Sequence, residues 1–538
     1  MILRKFNGAY VLDKPAGAST HTPDGGVTEG FIEMAGRLLK SQLWAVHRLD
    51  NTTSGCLLVT TSSQNVDLWT KILSKGKKKY VFISPRKSKE SVWSFSGRIE
   101  KLGPHKFDLL SGDPNSHTTF ARLAPCGLGF LYEAEISTGK THQIRIHARA
   151  SGIPILGDVE YGGMPFSRIM LHSHCLELDG DKTISPLPRV FELGTKNPES
   201  MENLDTNSSQ NTLTNQKFDE GFAKFLISLD RRRFLLDYYK DQGNAFRLVH
   251  REWVTKKGVR LSVEKLGDVL QILSYFGRDP DKNFAEALAR EAGCEHWFVR
   301  QMFDRGKGLS GKRENIKSSS PELPLQWTVR ESRMKFDLRY NQGLSSGLFL
   351  DQRLNRDRIL KTSQGKRVAN FFSYTCGFSL AAALGGAHEV VSIDTSASSL
   401  EWGKDNFKLN GLNPESYEFF KADALFFLRS SAKRNRIFDI IILDPPTFSR
   451  SKHGTFSVKE NLSELLELSF KCLDKKGTLL VTVNDENVSS EFLSRAIETA
   501  ALKTQFSPLR VERVHIPYDF EFPLERNTVM KGYWVSKL

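Results

Sequence analysis

The chain has 538 residues, 39% of them apolar, and a formal charge of +14. Such a length exceeds what one core can organise and predicts about three or four folded units, and so basic a balance favours a polyanionic partner, nucleic acid first. No stretch approaches the ~20 consecutive apolar residues of a membrane-spanning helix, so no membrane partner is expected.

The opening MILRKFNGAYVLDKPAG has no long apolar run, which argues against a secretion signal. Six cysteines, at 56, 126, 175, 294, 376 and 472, lie far apart without a CxxC pair. That pattern argues against a zinc site and for a reducing compartment, the cytoplasm. At 45–61, AVHRLDNTTSGCLLVTT sets His47, Arg48 and Asp50 before a small-polar turn and an apolar run. A carboxylate beside cationic groups is either a surface ion pair or a reactive group held ionised by its neighbours. The runs KKYVFIS, TTFARLA, GFLYEAEIS and RIMLHSHCLEL are β-branched or aromatic and bounded by turn residues, so they predict strands. STGKTHQIRIHARASGIPILGDVEYGG at 137–163 is crowded with basic and hydrogen-bonding groups; read as a strand, it puts Gln143, Arg145 and His147 on one face. Residues 1–194 therefore predict an α+β domain on a mixed, largely antiparallel sheet.

Residues 195–217 open an Asn-, Ser- and Thr-rich stretch with too few large apolar groups to offset its ordering entropy, hence a linker. A small α+β lead-in subdomain is expected over 218–328. Phe222, Phe225, Leu226 and Leu229 give it an amphipathic helix. AFRLVHREW and VLQILSYF read as strands, and RGKGLSGKREN at 305–315 is a basic loop. With KGKKK at 75–79, that loop is an electrostatic candidate for RNA, or simply a solvated surface.

From 329 to 538 the apolar runs VANFFSYT, EVVSID, FDIIILD and GTLLVTVN alternate with helical stretches, the pattern of a doubly wound, Rossmann-like parallel sheet. Ligands of such sheets bind beyond the carboxyl ends of the strands. Gly377 opens a helix after the first strand, Asp394 ends the second and Asp423 follows the third. A nucleoside cofactor fits there, with Asp394 accepting ribose hydroxyls; a tight turn with acidic helix caps is the other reading. The fourth strand ends in DPPTFSRSK, where Pro445 and Pro446 stiffen a loop, Asp444 faces the cofactor and Phe448 could stack on a base.

SSGLFLDQRLNR, NFFSYTCGFSLAAALGGAHEVVSIDTSASSLEWGKDNFKLNGL and DPPTFSRSK resemble the S-adenosylmethionine-dependent methyltransferases of large-subunit ribosomal RNA, the RlmI/RlmK/RlmL group, over about 218–538. The resemblance implies S-adenosyl-L-methionine as cofactor, with its methionine part held by Ser373, Tyr374 and Gly377. It also implies Asp394 on the ribose, Asp423 near the adenine, Asp444 in the catalytic loop, and Asp351 and Arg353 flanking the pocket. Attack by cytosine C5 would need a cysteine adduct, and GTLLVTVNDENVS has none. The expectation is guanine N7 or N2, with cytosine C5 as the rival.

HRLD, TSG, TGKTHQIRIH, PILGD and LHSHCLEL occur in the order found in the RluA-type pseudouridine synthases, which the chain resembles over roughly 5–180. The resemblance implies Asp50 as the catalytic aspartate, Tyr80 against the target uracil, and Arg145 as the cation that orients Asp50. A carboxylate that stabilises or captures an electron-poor sugar carbon needs such a cation inside an apolar pocket. Arg48 and Gln143 are expected on the RNA, and no cofactor is needed in this half. The whole predicts a bifunctional RNA-modifying enzyme, most simply for large-subunit ribosomal RNA; one half could instead be a non-catalytic RNA-binding module. No separate RNA-binding module is expected ahead of the first domain.

Overall fold

The computed structural model describes residues 2–22, 30–103, 106–166, 168–188, 190–191, 228–229, 232, 243–253, 260–275, 280, 282–302, 316–342, 345–446, 448–451, 454–485, 488–520 and 530–538. The chain forms two compact units, 1–238 with 251–260, and 239–250 with 261–538. The linker at 195–217, the basic loop at 305–315 and all of the predicted helix at 222–229 except Ser228 and Leu229 lie outside the described residues.

The first unit is built on an 11-stranded sheet. Its strands are β1 (Ile2–Phe6), β2 (Ala9–Lys14), β3 (Trp44–Ala45), β4 (Ser54–Thr60), β5 (Lys77–Ser84), β6 (Val92–Gly103), β7 (Lys106–Leu110), β8 (Ser116–Cys126), β9 (Gly129–Ile136), β10 (Leu171–Leu178) and β11 (Asp181–Ile184). The main path runs β1-β2-β4-β10-β5-β9-β8-β6-β7. Pairing is antiparallel except between β4 and β10. Central β4 is buried along its whole length, which its uninterrupted SGCLLVT run explains.

The QIRIHARA run is not a strand but a helix, Gln143–Ala150, entered through His142 at a left-handed φ of 58°. Residues 143–148 are all buried, and the alternating Ile144, Ile146 and Ala148 mimic a two-residue period. On a helix, Gln143 and His147 share a face and Arg145 points the other way. Accordingly Gln143 and His147 both bond Thr118 Oγ1 of β8, while Arg145 reaches the far side.

The second unit begins with a five-stranded sheet of β12 (Ala245–Trp253), β13 (Arg260–Leu266), β14 (Val269–Tyr275), β15 (His296–Met302) and β16 (Ile316–Ser319). A hairpin of β17 (Gln326–Glu331) and β18 (Met334–Arg339) follows. The remaining seven strands of the main sheet are β19 (Arg367–Phe371), β20 (Glu389–Asp394), β21 (Glu418–Lys421), β22 (Phe438–Leu443), and, after a small hairpin of β23 (Phe448–Ser451) and β24 (Gly454–Ser457), β25 (Leu473–Val483), β26 (Leu509–Arg513) and β27 (Lys531–Lys537). Their order is β21-β20-β19-β22-β25-β27-β26, with only β27 antiparallel to its neighbours. The helix over 377–384 contacts those over 353–362 and 397–409, and the helix over 458–472 contacts those over 424–433 and 490–503. This is the doubly wound pattern, and its chain order reverses between β19 and β22, where a ligand crevice opens.

Candidate active sites

In the first unit the Asp50 loop is held from below. Lys14, fully buried in the LDKPAG motif, donates through Nζ to the carbonyls of Ala18 at 2.7 Å, Pro15 at 3.0 Å and Asn51 at 3.3 Å. Thr20 Oγ1 donates to Leu49 O at 2.9 Å, and Gly17 N to Asn51 O at 2.7 Å. His47 accepts the Leu58 N–H at Nε2, 3.1 Å, and burial, helped by the nearby Lys78 charge, lowers its pKa to about 4. It is therefore a neutral loop anchor rather than a phosphate contact, while Arg48 beside it is exposed.

Around Asp50, three chain-distant segments converge. Arg145 Nη1 lies 3.6 Å and His142 Nε2 3.9 Å from Asp50 Oδ2. The guanidinium itself is clamped by Asp158, with Nε and Nη2 each donating at 2.8 Å, and by Glu160 at 2.7 Å. Arg145 also lies over the Tyr161 ring, 4.8 Å from its centroid, and the Tyr161 hydroxyl is 2.8 Å from His142 Nδ1. Arg145 and Asp158 are 5% and 1% exposed. Asp50 thus receives the looser arm of a cation that is fixed elsewhere. Tyr80 is buried on β5; burial raises its pKa, a Ser173 hydrogen bond opposes this, and the Asp50 charge adds to the rise. Its phenol stays protonated at neutral pH. Gly55, at φ +109°, admits Ser173 at this point, since a Cβ there would stand 2.1 Å from Ser173 O.

Gln143 is not on an RNA surface. It is 2% exposed; its Oε1 accepts from Thr138 Oγ1 and Lys140 N, and its Nε2 donates to His117 O and Thr118 Oγ1. Every polar arm is spent holding the 138–143 turn to β8. Asp158 and Glu160 were missed as partners of Arg145, although PILGD had marked the first of them. Of KGKKK, Lys75 and Lys77 are exposed, whereas Lys78 is buried and Lys79 pairs with Glu133 and Glu135.

In the second unit a cavity of about 300 Å³ opens beyond the strand ends. Ser373, Tyr374 and Gly377 line it after β19, Asp394 at the end of β20, Asp423 after β21, and Asp444, Pro445 and Pro446 after β22. Asp351 lines it as well. The β19 turn is strained, with Phe372, Tyr374 and Cys376 at φ of 57°, 49° and 60°; such non-glycine left-handed residues cost of order 1 kcal/mol each and cluster where ligands are clamped. Asp394 holds the turn by accepting from Tyr374 N and Ser396 N, both at 2.8 Å. Burial raises the Asp394 and Asp351 pKa values. Asp423 also caps the next helix, accepting from Phe426 N at 3.1 Å, so pocket wall and helix cap are one residue.

Arg353 is a correction. It does not line the cavity; it is 6% exposed and donates to both oxygens of Asp519, at 3.0 and 3.1 Å, and to Ala245 O at 2.8 Å. Two residues of helical turn point it away from Asp351. Phe448 falls in β23, but its side chain lies outside the described residues. Gln352, Arg356, Phe349 and Asn484 also line the cavity and were missed; the first three stand within the SSGLFLDQRLNR run, and Asn484 ends VTVN. The described lining holds four carboxylates against one guanidinium, Arg356, which is itself bidentate on Glu331. That donor set suits a cationic nucleoside, with a sulfonium centre, an ammonium group and ribose hydroxyls as its polar features.

Burial pushes the Asp444 carboxyl up to about 6, although Thr482 Oγ1 donates to it at 2.6 Å and pulls the other way. A folded value above the ordinary range near 4 means that the fold prefers the protonated form. That stability is complete below the ordinary value and is lost as pH rises through 6. Asp444→Asn is therefore expected to raise the melting temperature of this unit at pH 8, leave it unchanged at pH 4, and slow methyl transfer. Calorimetry at the two pH values checks it; a lower melting temperature at pH 8 would contradict it.

The RNA pseudouridylate synthase family matches residues 9–150, and the S-adenosylmethionine-dependent methyltransferase family matches residues 314–527. The chain joins a pseudouridine synthase domain to an S-adenosylmethionine-dependent methyltransferase domain. Ribosomal RNA large subunit methyltransferase K/L of Shewanella sp. (strain W3-18-1) is 32% identical over 321 residues, covering 59% of this chain and 39% of that protein. The protein of that name from Shewanella oneidensis is 31% identical over 321 residues. The chain thus spans about two fifths of the length of these relatives. Among solved structures, human RNA Pseudouridylate Synthase Domain Containing 1 aligns at 21% identity over 37% of this chain and 92% of its own, with a TM-score of 0.31. A SAM-dependent methyltransferase from Agrobacterium tumefaciens aligns at 20% identity over 51% and 86%, with a TM-score of 0.39. No described helix of the synthase or methyltransferase domain is long and apolar enough to cross a membrane.

Proposed function

We propose that the chain modifies RNA twice: it isomerises a uridine to pseudouridine at Asp50 and methylates a guanine in the methyltransferase cavity. One observation supports this above others: in each domain, motif residues far apart along the chain meet at one place, Asp50 with Arg145 and Tyr80, and Asp351, Asp394 and Asp423 with Asp444. In the synthase domain the Asp50 carboxylate attacks or shields C1′ as the C1′–N1 bond breaks. The base turns, C5 joins C1′, N1 gains a proton and C5 loses one, and the protonated Tyr80 phenol carries protons beside the base. Arg145, held by Asp158, places a cation 3.6 Å from that carboxylate. The uridine must leave its stack to reach the site, and Arg48, exposed at the loop, meets the backbone.

In the methyltransferase domain, Asp394 would hold the ribose, Asp423 the adenine side, and the Ser373–Gly377 turn the amino-acid part of S-adenosylmethionine. That cofactor supplies an electrophilic methyl group. Pro445 and Pro446 fix the loop that receives the base, and Asp444 orients it. Guanine N7 needs no base and no covalent help, only alignment; N2 is the neighbouring alternative. Cytosine C5 lacks its nucleophile: all six cysteines are among the described residues and none lines the cavity. Burial pushes the Cys376 and Cys472 thiols up to about 12 and about 11. Large-subunit ribosomal RNA is the favoured substrate, the cytoplasm the compartment, and 1–194, 195–217, 218–328 and 329–538 the working division of the chain.

The test is a calorimetric titration of S-adenosylmethionine, followed by nucleoside mass spectrometry of treated ribosomal RNA. Asp394→Asn is expected to weaken cofactor binding at least about tenfold, the loss of charge-assisted hydrogen bonds. Appearance of 5-methylcytidine in place of a methylguanosine would refute the assignment of the base.

A further inference from the structure

Neither mechanism uses Lys78. It lies on β5 two residues before Tyr80, so both side chains leave the strand on one face, about 7 Å apart along it. It is 9% exposed. Among the described residues no hydrogen bond or ion pair holds its ammonium group, in contrast to Lys79 next to it, which pairs with Glu133 at 2.8 Å. Its Nζ faces the turn that leads to His142, since a Cβ on Gly139 would stand 3.9 Å away, and its charge is felt by His47 of the Asp50 loop. Burial lowers its pKa with no anion to oppose the effect.

An unpaired ammonium ion taken out of water is unfavourable by several kcal/mol. The fold sets this one at the edge of a site that receives a polyanion, at nucleotide distance from the residue that meets the base. We propose that Lys78 binds a backbone phosphodiester next to the uridine presented to Tyr80 and Asp50. The inference rests on the synthase reading of that site. Lys78 supplies the anion subsite that orients the nucleotide, and the uridine's own phosphate completes the missing ion pair.

The experiment measures kcat/KM for pseudouridine formation on a large-subunit ribosomal RNA transcript between 50 and 200 mM salt, on the order of the range where phosphate contacts are resolved. Lys78→Met keeps the apolar stem and removes the charge. It is expected to lower kcat/KM about tenfold at the low-salt end and to make the log–log salt slope shallower by about 0.7–0.9, one phosphate contact. Lys78→Arg is expected to retain the slope. An unchanged slope in Lys78→Met, with or without a change in rate, overturns the proposal, because a merely structural lysine alters rate or stability without altering counterion release. If the wild-type chain forms no pseudouridine, the synthase reading itself falls, a result distinct from normal turnover with an unchanged slope.

Discussion

Asp50→Asn is expected to stop pseudouridine formation, by about 10³-fold or more, the scale seen when a nucleophile is removed from a site that is otherwise intact. The change is isosteric and the Asp50 side chain is 27% exposed, so the fold should tolerate it. Its backbone carbonyl, which accepts from Thr53 N at 3.0 Å, is untouched. Loss of the charge also removes an anion that raises the Tyr80 pKa, so the phenol then ionises somewhat more easily. Methyl transfer by the same preparation should be unchanged, which separates chemistry from unfolding. Quantifying both nucleosides in one digest checks the outcome; persistent pseudouridine would show that another group performs the attack.

Arg145→Met carries the largest stability effect. It leaves Asp158, 1% exposed, without the guanidinium that it binds twice, and leaves Asp50 and Glu160 near it. Breaking a buried pair from one side costs about 3–5 kcal/mol, because an uncompensated charge remains. The double variant Arg145→Met, Asp158→Leu should recover most of that loss, since replacing both partners by apolar groups is close to neutral. It should not recover turnover, because Asp50 still lacks its cation. Denaturant unfolding of the single and double variants provides the measurement. A double variant as unstable as the single one would mean that the pair does not dominate the energetics here.

How much of this was legible in the residues depends on the element. The continuous apolar runs of β4, β19, β20 and β22 announced buried strands, and the carboxylates at their ends announced the cavity. Gln143–Ala150 was not legible, because its polar and apolar residues alternate strictly and eight residues cannot separate a period of 2 from one of 3.6. That error carried Gln143 to the RNA, whereas its amide is consumed within the fold. Arg353 was misplaced for a similar reason: the sequence shows its closeness to Asp351 but not the half-turn that sends it to Asp519. Arg145 was matched to Asp50 by family resemblance, yet its primary partner is Asp158, and only the folded arrangement ranks the two at 2.8 and 3.6 Å.

One chain is proposed to house two independent chemistries. Ribosomal RNA incubated with S-adenosylmethionine and wild type, Asp50→Asn or Asp394→Asn, then digested and resolved by mass spectrometry, tests it most directly. The wild type should yield both pseudouridine and a methylguanosine, Asp50→Asn only the methylguanosine, and Asp394→Asn only the pseudouridine. Loss of both products in either variant, or no pseudouridine from the wild type, would contradict it.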